Sequence, residues 1–307
     1  MTSQTIQRRS SWSPTERREY LKGLVFISPW LIGFAAFVLY PIIASLYYSF
    51  TYYDLLRPPR FIGLENYREI LFQDQFAGKV LYNTVYYVLL AVPLGTIVAF
   101  LLASLLNTRL VGRSFFRAIF FVPSIVPVVS SAMVWLWIFN TQYGVIDSTL
   151  ASLGLPVIPF LSSPEWAKPS FIIIHCWSSG GAMLIFLASL RDVPMSLYDA
   201  AKVDGAASWA RFRHITIPMC TPAILFSVLT GIIGAFQYFA FAWILTRGGP
   251  NGATEFYSVY LYRNAFSFLK MGYAAALAWI LFLIVMAVTM AVFRSSARWV
   301  YYGGSTD

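Results

Sequence analysis

The sequence predicts an all-α, polytopic membrane protein with six transmembrane helices and both termini in the cytoplasm. Three observations predict it. Hydrophobic residues make up 58% of the 307 and charged ones only 11%, whereas a soluble domain is nearer a quarter charged, so this chain cannot build a water-exposed surface. Six uncharged apolar runs are each long enough, at roughly 20 residues or more, to cross a bilayer as helices. The Lys and Arg residues gather in alternate loops, as the positive-inside rule requires.

The spans fall at Leu24–Tyr48, Tyr82–Leu106, Ala118–Phe139, Pro169–Leu190, Met219–Thr246 and Gly272–Phe293. The first is too long for a signal-peptide core and no small-residue cleavage site follows it, so it is expected to stay. They divide the chain into an N-terminal segment (1–23), a transmembrane domain (24–293) and a tail (294–307). The loops 1–23, 107–117, 191–218 and 294–307 hold 14 Lys and Arg; the loops 49–81, 140–168 and 247–271 hold 8. Acids are almost evenly split, so one side carries +8 and the other +1. That asymmetry places both termini and the 191–218 loop in the cytoplasm. The net charge of +9 is thus mostly a topology signal, and nucleic-acid binding is not indicated. Cys176 and Cys220 make neither a disulfide framework nor a zinc spacing.

Before the first span, Ser13-Pro14-Thr15-Glu16 carries a capping serine and a proline at the first helical position, which predicts a short cytoplasmic helix. Leu64–Phe76 has apolar residues at Leu64, Tyr67, Ile70 and Leu71 among acids, which predicts an external surface helix. Pro93, Pro123 and Pro127 fall inside spans and should kink them, freeing carbonyls that neighbours must satisfy. Gly248-Gly249-Pro250 reads as an external turn after the fifth span.

The third cytoplasmic loop, Arg191 to Pro222, is too long for a tight connection and too apolar for a flexible one. Ser196-Leu197-Tyr198-Asp199 reads as a capping box that starts a helix at Ser196. Small residues follow, at Ala200, Ala201, Gly205, Ala206 and Ala207. A second short helix is expected over 208–215, before Pro218 and Pro222 return the chain to the membrane. Two short helices with a small-residue face have the form of a docking element. The plainer reading is an amphipathic helix lying on the membrane, but that class calls for a strongly basic face and bulky apolar residues, absent here.

Tyr198-Asp199-Ala200-Ala201, Asp204-Gly205-Ala206, Phe212, Ile215, Ile217-Pro218 and Pro222 together resemble the signature loop of bacterial ABC-importer permeases. The family's pattern is Glu-Ala-Ala, three residues to Gly, then Ile-x-Leu-Pro; Asp199 stands for Glu and Ile217 for Leu, both conservative. Phe61–Tyr67, Asn83-Thr84, Phe116-Arg117 through Pro127, Thr246–Pro250 and Arg263–Phe266 through Gly272–Ala276 extend the likeness over nearly the whole chain. Within the family they resemble the carbohydrate-uptake branch of maltose and glycerol-phosphate importers.

The resemblance implies a type I importer permease fold in a bacterial cytoplasmic membrane, surrounded by lipid. It also implies a second, different permease, two P-loop ATPases and an external solute-binding protein. Asp199, Ala200, Ala201, Asp204, Gly205 and Ala206 would form the helix that docks on an ATPase. The chain has no G-x-x-x-x-G-K-[ST] loop, so it is expected not to be an enzyme and to hold no cofactor of its own. ATP and magnesium would bind the partner ATPases. The substrate path implied by the family runs past Trp177, Ser178, Gly181, Gly234, Ala235, Gln237 and Tyr238. Aromatic faces, hydroxyls and amides suit a sugar, although Trp177 and Tyr238 could equally be packing aromatics. A maltose-type site has a polar side chain where this chain has Ala235.

His175 is the one ionisable residue inside a predicted span; a neutral imidazole bonded to a neighbouring helix is the simpler reading than a proton relay. A secondary transporter is the main alternative from another class, but such folds carry internal repeats and membrane-embedded carboxylates, and no span here holds an acid. Glycerol phosphate, its diesters and polyols are alternative cargoes; a phosphorylated one calls for cations that the spans lack.

Overall fold

The backbone of a chain in hydrocarbon must satisfy its own polar groups, which leaves helices as the economical solution, and helices carry nearly the whole protein. The structure, a computed structural model, describes residues 14–108 and 111–302. Among the described residues, four helices are long and apolar enough to cross a membrane: Arg17–Ser49, Gln75–Leu106, Thr221–Leu245 and Met271–Ser296. Two bent pairs raise the number to as many as six if each pair is one span.

Helix α1 (Pro14–Phe34) runs through a π-helical turn at Ala35–Leu39 into α2 (Tyr40–Ser49). The expected separate helix at Pro14 is therefore corrected: it starts at Pro14 but has no breaker before Leu24, and it continues into the membrane. Ser13 lies outside the described residues. The most apolar 18-residue stretch of Arg17–Ser49 has no residue buried within the chain; contact with the rest is made by α2, whose Ser49 is buried. A two-stranded hairpin, β1 (Thr51–Tyr52) and β2 (Arg60–Phe61), pairs Thr51 with Phe61. The expected surface helix follows as α3 (Glu65–Arg68) and a π turn to Gln73. The buried Asn66 of α3 pins it by donating to the carbonyls of Ser49 and Thr51 at 2.9 and 3.0 Å.

Asp74 caps the long helix α4 (Gln75–Leu106), accepting from the amides of Phe76 and Ala77. Its other oxygen accepts from the hydroxyls of Tyr260 and Tyr273. Burial alone would raise the Asp74 pKa, but the two phenols and two amides hold it below the usual carboxylate value. The cluster therefore stabilises the protein above the ordinary Asp range, and the benefit fades as acid titrates the folded carboxylate. Asp74→Asn is expected to cost about 2 kcal/mol at neutral pH. A thermal-melt series should show that gap closing only at strongly acidic pH.

Ala91, Gly95, Ala99 and Ala103 repeat every fourth residue on α4 and are all buried. This stripe of small residues lets neighbouring helices approach closely without a hydrophobic driving force. The breaks in the next elements have separate causes. Between α5 (Arg113–Ile125) and α6 (Val128–Ile138) the path turns by 102°, because Pro127 cannot donate and forces Val126 into the extended region, at φ −71° and ψ 133°. The predicted single span Ala118–Phe139 is thus corrected to a bent pair. Pro93 and Pro123, by contrast, sit inside α4 and α5 without interrupting either.

After α7 (Val145–Ser152), α8 (Pro164–Trp177) and α9 (Gly180–Arg191) meet at 44° across Ser178-Ser179. Pro169–Leu190 is therefore also corrected, from one helix to two. A Cβ on Gly180 would stand 2.2 Å from the Phe120 carbonyl oxygen, so only glycine allows α9 to start against α5.

The segment after α9 forms α10 (Met195–Val203), α11 (Ser208–Arg211) with a π turn over Phe212–Thr216, and α12 (Ile217–Met219). The chain then enters α13 (Thr221–Phe236) and α14 (Ala240–Leu245), whose continuity is interrupted at 237–239 inside the expected fifth span. Helix α15 (Tyr257–Tyr262) leads to α16 (Met271–Ser296). Two apolar clusters form the core: one around Tyr87, Phe171, Phe236, Phe256 and Leu277, the other around Phe100, Leu106, Met183, Phe186 and Leu190. Helix α4 runs through both.

Candidate functional site

Two regions gather the residues singled out by the sequence. The first is the α10–α11 pair. Pro194 is the N-cap of α10, and no side chain caps it. The expected capping box is corrected accordingly: the helix starts one residue earlier, and Asp199 instead pairs with Lys202 at 2.8 Å, with both side chains more than half exposed. An exposed pair of this kind contributes under about 1 kcal/mol.

The end of α10 is tightly specified. The Ala206 amide donates to the Ala201 carbonyl at 2.8 Å and the Gly205 amide to Lys202 at 3.1 Å, the double closure of a Schellman motif. Gly205 holds φ +76°, with open space around its Cβ position. Asp199, Ala200, Asp204 and Gly205 are exposed; Ala201 and Ala206 are half-buried. Tyr198 ties the pair together by a 2.9 Å hydroxyl contact to Thr216, and Tyr198, Phe212 and Ile215 root it in the second apolar cluster. Met195, Val203 and Trp209 are left 65–88% exposed. The result is a firmly anchored platform with bare apolar side chains.

The second region is a cavity of about 360 Å³ halfway along α4, between the two apolar clusters. Ser178, Gly181, Gly234, Ala235 and Tyr238 line it, five of the seven residues expected on the path. Trp177 and Gln237 do not line it. Trp177 packs edge-on against Trp135 at 5.5 Å, while Gln237 is exposed as the C-cap of α13.

Sequence reasoning missed Thr96, Ser124, Ser179 and Thr230, which also line the cavity. Ser178-Ser179-Gly180-Gly181 is the available signal, a run of helix-weak residues inside an apolar stretch. His175 closes one wall, with its ring beside Gly95 and Nδ1 3.5 Å from the Tyr87 hydroxyl on α4. This is the neighbouring-helix contact expected for it. Above it, the Tyr87 and Tyr238 rings meet at 4.5 Å, tilted by 36°; Phe256 packs on both and Phe171 on Tyr238 and Phe256. No lysine, arginine, aspartate or glutamate lines the cavity. Among the described residues no group of three His, Cys, Asp or Glu is placed to hold a metal.

Beyond the aromatic layer, residues 246–256 fold back over the start of α4. Gly248-Gly249-Pro250 forms the expected turn, with the Gly249 amide on the Thr246 carbonyl at 2.9 Å. Asn83 donates to the carbonyls of Gly252 and Glu255, and Lys79 to that of Asn251. Glu255, 1% exposed, pairs with Arg263 at 3.1 Å.

Residues 91–300 match the family described as binding-protein-dependent transport system inner membrane component. A probable ABC transporter permease protein, YesP of Bacillus subtilis, is 40% identical over 93% of this chain and 94% of its own length. The lactose transport system permease LacF of Rhizobium radiobacter is 33% identical over 94% of this chain and 98% of its own length. The trehalose/maltose permease MalF of Thermococcus litoralis is 31% identical, over 92% and 96%. Among solved structures, a chain of a bacterial alginate ABC transporter superposes with a TM-score of 0.81 at 23% identity, covering 92% of this chain and 96% of its own.

Proposed function

Since this chain belongs to the family of binding-protein-dependent transport system inner membrane components, we propose that it is the sugar-translocating permease subunit of an ATP-driven importer. It is a transport subunit and not an enzyme. The observation that carries the reading is the family match spanning both the cavity and the α10–α11 platform, with relatives of near-equal length that transport lactose and trehalose or maltose. The mechanism follows from the two sites. The cavity offers hydroxyls in an apolar wall, which suits a polyhydroxylated ring. The platform offers exposed Asp199, Ala200, Asp204 and Gly205 to a partner surface.

In this reading, six spans cross a bacterial cytoplasmic membrane with both termini and the platform inside, as the loop charges favour. ATP and magnesium bind two partner ATPases, and their closure drives α10 and, through Tyr198 and Phe212, the inner core. A second, homologous permease completes the path; α1, mostly exposed among its described residues, supplies surface for such a partner or for lipid. A solute-binding protein delivers the sugar from outside.

Trp177→Ala is expected to leave uptake within about twofold of wild type, as a side chain off the path. Tyr238→Ala, which removes the ring between cavity and aromatic layer, should reduce uptake tenfold or so. Radiolabelled uptake in cells distinguishes them; a stronger effect at Trp177 would move the path. Affinity purification of the tagged chain tests the assembly. Recovery of a second permease and a P-loop ATPase is expected, and a chain that purifies alone would contradict the reading.

A further inference from the structure

Among the described Lys and Arg residues, five are partly buried: Arg113, Arg117, Lys168, Arg211 and Arg263. Three of them have partners. Lys168 donates to the Asn83 side chain at 3.1 Å, Arg211 to the Ser208 hydroxyl at 3.1 Å, and Arg263 pairs with Glu255. Arg113 and Arg117 have no hydrogen bond or ion pair among the described residues. Arg113 is closed in on one side, its Nε and Nη2 shut from solvent without a partner. Its guanidinium therefore meets the outside through Nη1. A cation that has lost part of its water and gained no counter-charge is costly.

The two arginines stand four residues apart on one face of α5, where like charges repel. The opposite face carries Phe115, Ile119 and Val122, all exposed and apolar. No residue of α5 is buried within the chain, and Val111 just before it is 98% exposed. The uncharged run of the third predicted span begins at Ala118, directly after Arg117. Cations and bare apolar side chains thus meet at one level, the boundary between headgroups and hydrocarbon. In the orientation favoured by the loop charges, that boundary faces the cytoplasm, where the leaflet carries anionic lipid.

We propose that Arg113 and Arg117 bind the phosphate of an anionic phospholipid, whose acyl chains lie along the exposed apolar face of α5. Planar, forked guanidinium donors suit phosphate oxygens. A zwitterionic headgroup brings its own ammonium and neutralises the pair less well. The helix held in this way carries Ser124 of the cavity wall, and its Phe120 carbonyl lies against Gly180 at the start of α9. A lipid at its start therefore braces a helix that borders the cavity.

The test places the purified complex in nanodiscs of equal parts phosphatidylcholine and phosphatidylglycerol and counts retained lipids by native mass spectrometry. Both leaflets then carry the same lipid, so the result is independent of which way the chain faces. A failure here leaves the importer reading standing. Wild type should retain phosphatidylglycerol in preference to phosphatidylcholine. Arg113→Gln and Arg117→Gln should each lower occupancy by the tightest-held phosphatidylglycerol about fivefold, the effect of one cation at a membrane surface. Arg117→Lys should keep most of it, and millimolar inorganic phosphate should not displace the lipid. No preference in wild type, or full preference in the double glutamine variant, would overturn the proposal. Displacement by inorganic phosphate would overturn it in favour of a soluble anion. Glutamine variants that fail to join the second permease, where Arg117→Lys still joins it, would overturn it in favour of a subunit contact. A melting series on wild type needs no variant: the complex should melt higher in phosphatidylglycerol discs than in phosphatidylcholine discs, and equal melting would contradict the site.

Discussion

Replacing Gly205 with valine should leave the protein inserted in the membrane and lower ATP-driven uptake by tenfold to a hundredfold. The glycine closes α10 at φ +76°, a region that costs an L-residue roughly 1–2 kcal/mol and a β-branched one more. Each 1.4 kcal/mol is about tenfold in population of the closed helix end. The space around its Cβ position is empty within this chain, so the chain itself exacts no steric penalty. A graded series separates two causes. If conformation dominates, Gly205→Asn should be the mildest change, since Asn tolerates the left-handed region, with alanine and valine progressively worse. If an ATPase surface fills the empty space, all three should fail together. Normal uptake by the valine variant would remove α10 from the coupling route.

Arg263→Ala carries the largest expected stability effect outside the membrane. Glu255 is buried beneath the 246–256 turn, and the arginine also donates to the Arg247 carbonyl at 2.7 Å. Removing one partner of a buried pair typically costs about 3–5 kcal/mol, because the other charge is left stranded. Burial raises the Glu255 pKa and Arg263 opposes that rise. Without the arginine the carboxyl should take up a proton more readily. A raised folded pKa favours the fold at low pH, and that contribution is lost as pH rises through it. The variant's defect should therefore be deep at neutral pH and shrink on acidification, and adding Glu255→Gln should recover part of it. Hydrogen exchange of the 248–256 amides reads this directly. Equal protection in wild type and Arg263→Ala would contradict the role given to the pair.

Much of this architecture is legible in the sequence because apolar runs, loop charges and small-residue spacing each record a single physical demand. The α10–α11 pair is legible too, down to the glycine at its centre, since a Schellman closure requires a local residue type. The breaks are less so. Pro127 interrupts its helix while Pro93 and Pro123 do not, a difference decided by what neighbours each proline meets. The Ser178-Ser179 break depends on the α5 backbone lying against Gly180, a tertiary contact invisible in one dimension. Ser179 lies at that break, where helical periodicity does not mark which side chains face the cavity. The Glu255–Arg263 pair spans eight residues within the 247–271 loop, a spacing that carries no periodic signal.

ATP, through a partner bound at α10, is proposed to drive sugar through this chain. Uptake of saccharide delivered by its binding protein into proteoliposomes of the purified complex tests it most directly, with ATP sealed inside or omitted and with or without a protonophore. Uptake should need internal ATP and be indifferent to collapse of the ion gradient. Uptake without ATP that the protonophore abolishes would mean an ion-coupled carrier and contradict it.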